Sequence, residues 1–413
     1  MGEPVRVVPK DLATTFAQQL GIPLSAMGRY GELFEQAPYA VQAQKVQYRS
    51  QTSSGQAVLL SGLLLVPLGT DGTVLSVPLL SYQHGTQIYR DFSPSRFPDH
   101  LDDSLNYAES FVGVGMAGHG VAVAIPDYPG LGDDPAMQPF VHGKSLAIGV
   151  VDMVRASRAY LEGTVTTSPA RWNGQLLLMG YSEGGYATMA ASREMQEDHA
   201  GEFVVTASAP MAGPYDLSGA MQRRVLSDEP FAEAYYLPLF LMGYRAAYAN
   251  DPAIASALAP EKVFRDPFAS TLPPMLTGSH HGEEINVAMG MTYEPLHRIV
   301  PKSVLLDAFL LVYADPNSLF GPMLVENNAY RGWTPRMPMK LFHHPQDDIV
   351  PFANSVVARD EFHKAGALQV EVAEVTSTLD FLTDANVTLH EKAALPAIYD
   401  AWAWLRATAS STP

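Results

Sequence analysis

The stretch Gly180-Tyr181-Ser182-Glu183-Gly184 constrains this chain more than any other. Glycines two residues either side of a serine permit a sharp turn that aims its hydroxyl outward. The flanks say what the turn joins. Gln175-Leu176-Leu177-Leu178-Met179 is an apolar run of strand length, and Tyr186-Ala187-Thr188-Met189-Ala190-Ala191 holds strong helix formers and no breaker. Strand, tight turn and helix make Ser182 a candidate nucleophile. A side chain at Gly180 or Gly184 is expected to collide with the neighbouring strand or the helix start.

The rest of the chain bounds what such a serine could serve. Its 413 residues exceed the usual ~100 to 200 of one domain, so two domains or one large α/β domain with an insertion is expected. A formal charge of −17 disfavours nucleic acid and anionic membrane surfaces, both of which attract basic patches. The absence of cysteine excludes disulfides, thiolate metal sites and a cysteine nucleophile. The start, Met1-Gly2-Glu3-Pro4-Val5-Arg6, lacks the basic and apolar regions of a signal peptide. The most apolar stretch, Ala57 to Leu68, is too short to span a bilayer. A soluble protein is expected, secreted or periplasmic where a signal has been removed.

After an N-terminal segment of mixed helical signals, runs bounded by Gly and Pro at Gly62 to Pro67, Leu75 to Tyr82 and Gly120 to Pro126 read as strands. Ala147, Val150, Val151, Val154 and Leu161 keep a helical period. Further strands are expected at Phe203 to Ala207, Met339 to Phe342 and Gln369 to Val375. Strands alternating with helices predict a mostly parallel sheet flanked by helices. The alternation lapses from Asp216 to Pro335, which reads as an inserted, mainly helical cap between two parts of the core, residues 1–215 and 336–413. Within it, Tyr236 and Phe240 are candidates to line an acyl pocket, as is Tyr181 beside the serine.

A nucleophilic serine needs a base to take its proton and an acid to hold that base, in chain order Ser, Asp or Glu, His on a sheet of this type. Met339 to Phe342 leads into His343-His344-Pro345-Gln346-Asp347-Asp348-Ile349-Val350-Pro351, at the strand end where parallel sheets place active groups. Asp347 or Asp348 is the candidate acid. Asn386-Val387-Thr388-Leu389-His390 precedes Leu395, Ile398, Trp402 and Leu405 at helical spacing, so His390 is expected in a loop before a helix and is the candidate base. The oxyanion formed on attack needs two N–H donors. Glu183, after the serine, offers one; the region of Gly85 and Thr86, at the end of the strand Leu75 to Tyr82, is expected to offer the other.

These motifs, together with Pro126-Asp127-Tyr128-Pro129-Gly130-Leu131-Gly132, resemble an α/β-hydrolase of the secretory lipase and esterase kind, over roughly residues 60 to 405. In similar sequences the acid opens an Asp-x-x-Val-Pro pattern, which favours Asp347 over Asp348. The resemblance implies hydrolysis of small-molecule or lipid carboxylic esters through an acyl-enzyme, a helical cap and no cofactor. It leaves acyl length and oligomeric state open. A peptidase or acyltransferase using the same triad is the nearer alternative, and a non-catalytic binding protein on this fold the more distant one. Gly113-Val114-Gly115-Met116-Ala117-Gly118 matches a dinucleotide fingerprint but precedes a strand instead of following one. Asp127, Asp133 and Asp134 lack the ligand spacing of a calcium loop, and no metal is expected.

Overall fold

The computed structural model describes residues 6–9, 24–34, 37–103, 106–164 and 166–411. Residues 1–5, on which most of the signal-peptide reading rests, lie outside this set.

The described strands are β1 (Arg6–Val8), β2 (Ala40–Gln51), β3 (Ala57–Leu68), β4 (Leu75–Gln83), β5 (Ala122–Pro126), β6 (Ala170–Tyr181), β7 (Ala207–Met211), the small hairpin β8 (Thr292–Tyr293) and β9 (Leu296–His297), β10 (Lys340–His343) and β11 (Glu371–Glu374). All but the hairpin join one sheet in the order β1-β2-β3-β5-β4-β6-β7-β10-β11. Pairing is antiparallel from β1 to β5 and parallel from β5 to β11. The apolar runs supply side chains to both faces, as a sheet covered on both sides requires. Along β3, Leu60, Leu64 and Val66 enter one core while Leu63 and Leu65 enter the other. Along β6, Leu176 and Leu178 alternate in the same way with Leu177 and Met179.

Helices cover each face. The first core takes Leu146, Val150 and Val154 of α2 (Gly143–Leu161) and Ala187, Met189 and Met195 of α3 (Glu183–Glu197). The second takes Phe111 and Val114 of α1 (Ala108–Gly118). Between β7 and β10 the chain leaves the sheet for a mostly helical excursion. Its longest helix, α4 (Tyr236–Ala247), buries Leu237, Leu239, Phe240 and Leu241. The chain returns through β10, α5 (Ala353–Lys364), β11 and α6 (Leu389–Ser411). Ile398, Trp402 and Leu405 of α6 join the second core beside Leu177 and Met179.

Two expectations need correction, and one discounted motif finds its place. The N-terminal region of mixed helical signals contains the twelve-residue strand β2, paired along its length with β3, where polar Gln and Lys alternate with Val and Ala. The strand expected at Phe203 to Ala207 runs instead from Ala207 to Met211; Phe203 and Val205 are buried as loop residues leading into it. The glycines at 113, 115 and 118 lie inside α1, where they allow close packing: a Cβ on Gly115 would overlap the Leu33 carbonyl.

Candidate active site

Ser182 stands at the junction of β6 and α3 with φ 60° and ψ −124°. A non-glycine residue holds that left-handed backbone only where its surroundings force it. Here they do. The Ser182 N–H donates to the Met211 carbonyl at 3.0 Å, tying the turn to the end of β7. A Cβ on Gly184 would overlap the Gln83 carbonyl, and one on Gly185 the Met211 carbonyl. Glycine at these positions therefore lets β4 and β7 close on the turn, the collision expected from the sequence.

Asp347 follows β10, and its side chain is fully enclosed. Its Oδ2 lies 2.6 Å from His390 Nδ1 and 3.3 Å from His343 Nε2. Its Oδ1 accepts the N–H groups of Ile349 and Val350 at 2.9 and 2.8 Å. Burial alone would raise its pKa, but the charge of His390 and hydrogen bonds from His343 and His390 outweigh burial and hold it well below the usual carboxylate range. Asp348 meets the same histidine differently: its Oδ1 accepts the His390 backbone N–H at 3.1 Å.

His390 is the second residue of α6, not the last of the preceding loop. Burial pulls its pKa down, but the charge and hydrogen bond of Asp347 prevail and raise it above the ordinary 6.5. Its Nε2 is buried without a hydrogen-bond partner among the described residues. Tyr181, expected to face substrate, is absent from the cavity beside Ser182. It instead packs its ring 4.8 Å from that of His390 and donates to the His390 carbonyl at 2.7 Å. One residue before the serine, it ties the histidine to the turn.

The loop after β4 is held from below. Glu109 accepts the Tyr82 hydroxyl at 2.6 Å and the Gly85 N–H at 2.8 Å. The Gly85 N–H is thus occupied, which corrects its place among the oxyanion donors. Thr86, Ser182 and Glu183 line a cavity of about 90 Å³ together with Phe140, Tyr236 and Phe240, and its walls are almost wholly apolar. Sequence reasoning missed Glu109, which stands in no pattern that marks it; His343, four residues before Asp347, lay in the segment quoted for the acid, and its contact with that acid is a finding of the structure.

The acidic residues weighed for calcium are already engaged. Asp127 accepts from the Ser61 hydroxyl at 2.5 Å and the Ser95 N–H at 2.8 Å, and Asp133 pairs with Lys45 at 2.8 Å. No group of three or more metal-ligating side chains occurs among the described residues.

The model of the secretory lipase family matches residues 96–249, a stretch that includes Ser182 and ends before Asp347 and His390. The fold is similar to that of a candidate hydrolase from Legionella pneumophila, at 22% identity and a TM-score of 0.78 over 100% of this chain and 99% of that one. It is also similar to the rice cell wall degrading esterase LipA from Xanthomonas oryzae, at 24% identity and a TM-score of 0.75 over 100% and 97% of the two chains. Candida antarctica lipase A aligns at 17% identity with a TM-score of 0.61, over 91% of this chain and 78% of that one. No curated protein matches the sequence. The chain has the α/β-hydrolase fold, as expected, and the resemblance to esterases and lipases is borne out. The match to the secretory lipase family supports a carboxylic ester hydrolase. No helix among the described residues is long and apolar enough to cross a membrane.

Proposed function

We propose that this chain hydrolyses carboxylic esters through Ser182, His390 and Asp347. The observation that carries the reading is the 2.6 Å contact of His390 Nδ1 with Asp347, which leaves Nε2 unpartnered on a histidine packed against the residue preceding Ser182. With Nδ1–H donated to Asp347, Nε2 carries the lone pair and takes the Ser182 proton as Oγ attacks the ester carbonyl. The N–H of Glu183 and that of Thr86 hold the oxyanion. His390 then protonates the departing alcohol, and water activated by the same histidine releases the acid from the acyl-enzyme.

The acyl group occupies the apolar cavity lined by Tyr236 and Phe240, and residues 216–335 act as a cap over it. At about 90 Å³ the cavity is smaller than the ~150 Å³ that admits benzene in an apolar core, so it suits a short acyl chain of about four carbons. The family match further supports export from the cell. Ser182→Ala should abolish hydrolysis of p-nitrophenyl butyrate, by about a thousandfold or more, and labelling by a fluorophosphonate. Retention of either activity refutes the assignment.

A further inference from the structure

Glu183 has a side chain that the reaction above does not use. It occupies the first turn of α3, where acidic residues ordinarily face solvent and the helix dipole, yet it is only 1% exposed. Both of its carboxyl oxygens are buried without a hydrogen-bond partner among the described residues. The groups that act on it or feel its charge are Glu109 from α1, Tyr128 after β5, Tyr235 before α4 and the backbone N–H of Val141. None is a cation. A carboxylate buried with no cation acting on it, and with only the Val141 N–H to favour its charge, has little to replace its lost hydration, whereas a carboxylic acid has much less hydration to lose. Burial accordingly pushes the Glu183 pKa up to about 8, with the Val141 N–H opposing this only in part.

The position gives this proton a consequence. The backbone N–H of Glu183 is one of the two proposed oxyanion donors, and the residue lines the apolar cavity together with Ser182. A negative charge there opposes the charge that develops on the carbonyl oxygen, in a region where little water screens it. We propose that Glu183 is a positioning residue that must keep its proton for Ser182 to react, and that its ionisation sets the alkaline limit of the hydrolysis. It acts through its charge, not by contact with the reacting atoms. This rests on the proposed serine chemistry and adds to it a proton that the triad does not hold.

The sign is fixed: the acid is neutral below about pH 8 and charged above it. Glu233, also pushed up to about 8 by burial and by Glu391, titrates in the same window and provides the control. The test is kcat/KM for p-nitrophenyl butyrate from pH 6 to 10 in the wild type, Glu183→Gln and Glu233→Gln, each read relative to its own value at pH 7. The wild type and Glu233→Gln are expected to lose activity above about pH 8, approaching tenfold per unit, while Glu183→Gln holds its plateau to pH 9.5. The same alkaline loss in Glu183→Gln overturns the inference, as does its disappearance in Glu233→Gln alone. Should Glu183→Gln not fold, fluorophosphonate labelling of the wild type across the same range decides, since a rate that does not fall by pH 9.5 overturns the inference. A Ser182-dependent activity that stays flat overturns this inference alone, whereas a wild type inactive on every ester overturns the proposed function with it.

Discussion

The same buried acid makes a prediction about stability whose size follows from two pKa values. Glu183 has an ordinary value of 4.5 and one of about 8 in the folded protein. Between them the unfolded chain has released the proton and the folded chain still binds it, so folding takes up a proton and stability falls as pH rises. The slope is about 1.4 kcal/mol per pH unit, and from 4.5 to 7 it accumulates to about 3 kcal/mol. That is a large share of the ~5 to 15 kcal/mol by which proteins are usually stable. Glu183→Gln keeps the shape and removes the titration. Its stability relative to wild type should therefore grow by about 1.4 kcal/mol per unit from pH 5 upward, reach about 3 kcal/mol at pH 7 and level off above pH 8. Urea unfolding at pH 5, 6, 7 and 8, followed by the fluorescence of the four tryptophans, measures the difference directly. Glu233 titrates in both proteins and cancels. A difference between the two proteins that does not change with pH refutes the claim that Glu183 is buried as the neutral acid.

Other expectations follow from the site. Asp347→Asn should lower kcat on p-nitrophenyl butyrate by about 10⁴-fold, as loss of a buried triad acid does, whereas Asp348→Asn, whose side chain accepts the His390 backbone N–H, should cost less than about tenfold. A reversal of that order identifies Asp348 as the acid. Because Asp347 raises the His390 pKa above 6.5 and only the neutral imidazole accepts a proton, activity should fall on the acid side with a midpoint above 6.5; a midpoint below it contradicts the geometry. In a p-nitrophenyl ester series kcat/KM should peak near butyrate, and Phe240→Ala should move the peak to longer chains; an unmoved peak excludes Phe240 from the acyl wall. Gly184→Ala, whose methyl would overlap the Gln83 carbonyl, should leave little folded protein as judged by circular dichroism.

The residues read most easily from the sequence are those whose role is set by a few neighbours. The turn at Ser182 needs its glycines and the apolar run before it, all within about ten positions. The preference for Asp347 likewise came from a short pattern, and the structure brings that residue to His390 Nδ1. What the sequence hid is set by distant partners. β2 alternates Val and Ala with Gln and Lys, and its strand character is evident only once β3 lies against it. β7 contains Pro210 among small residues, a composition that argues against a strand, while the more apolar Phe203 and Val205 just before it drew the expectation upstream. Tyr181 reads as an aromatic beside a nucleophile and so as a substrate contact, yet its hydroxyl is bound to a histidine 209 positions away. Glu183 reads as an ordinary acid at a helix start, and only the fold shows that it is buried.

Two carboxyl groups near Ser182 thus stand in opposite states for reasons that can be traced to their neighbours. Asp347 accepts two backbone N–H groups and a hydrogen bond from His390, and stays ionised although it is enclosed. Glu183 is as deeply enclosed and has only the Val141 N–H to favour its charge, so burial decides and it keeps its proton. Environments that drive two acids apart in this way let one site use a charge on one side of the serine and forbid it on the other. The charge belongs behind His390, where an imidazolium forms during the reaction. It is excluded beside the oxyanion, where negative charge accumulates. Undoing either state, by Asp347→Asn or by raising the pH past 8, should stop the reaction by different routes. The first removes the partner of the imidazolium at every pH, and the second is reversed when the proton returns.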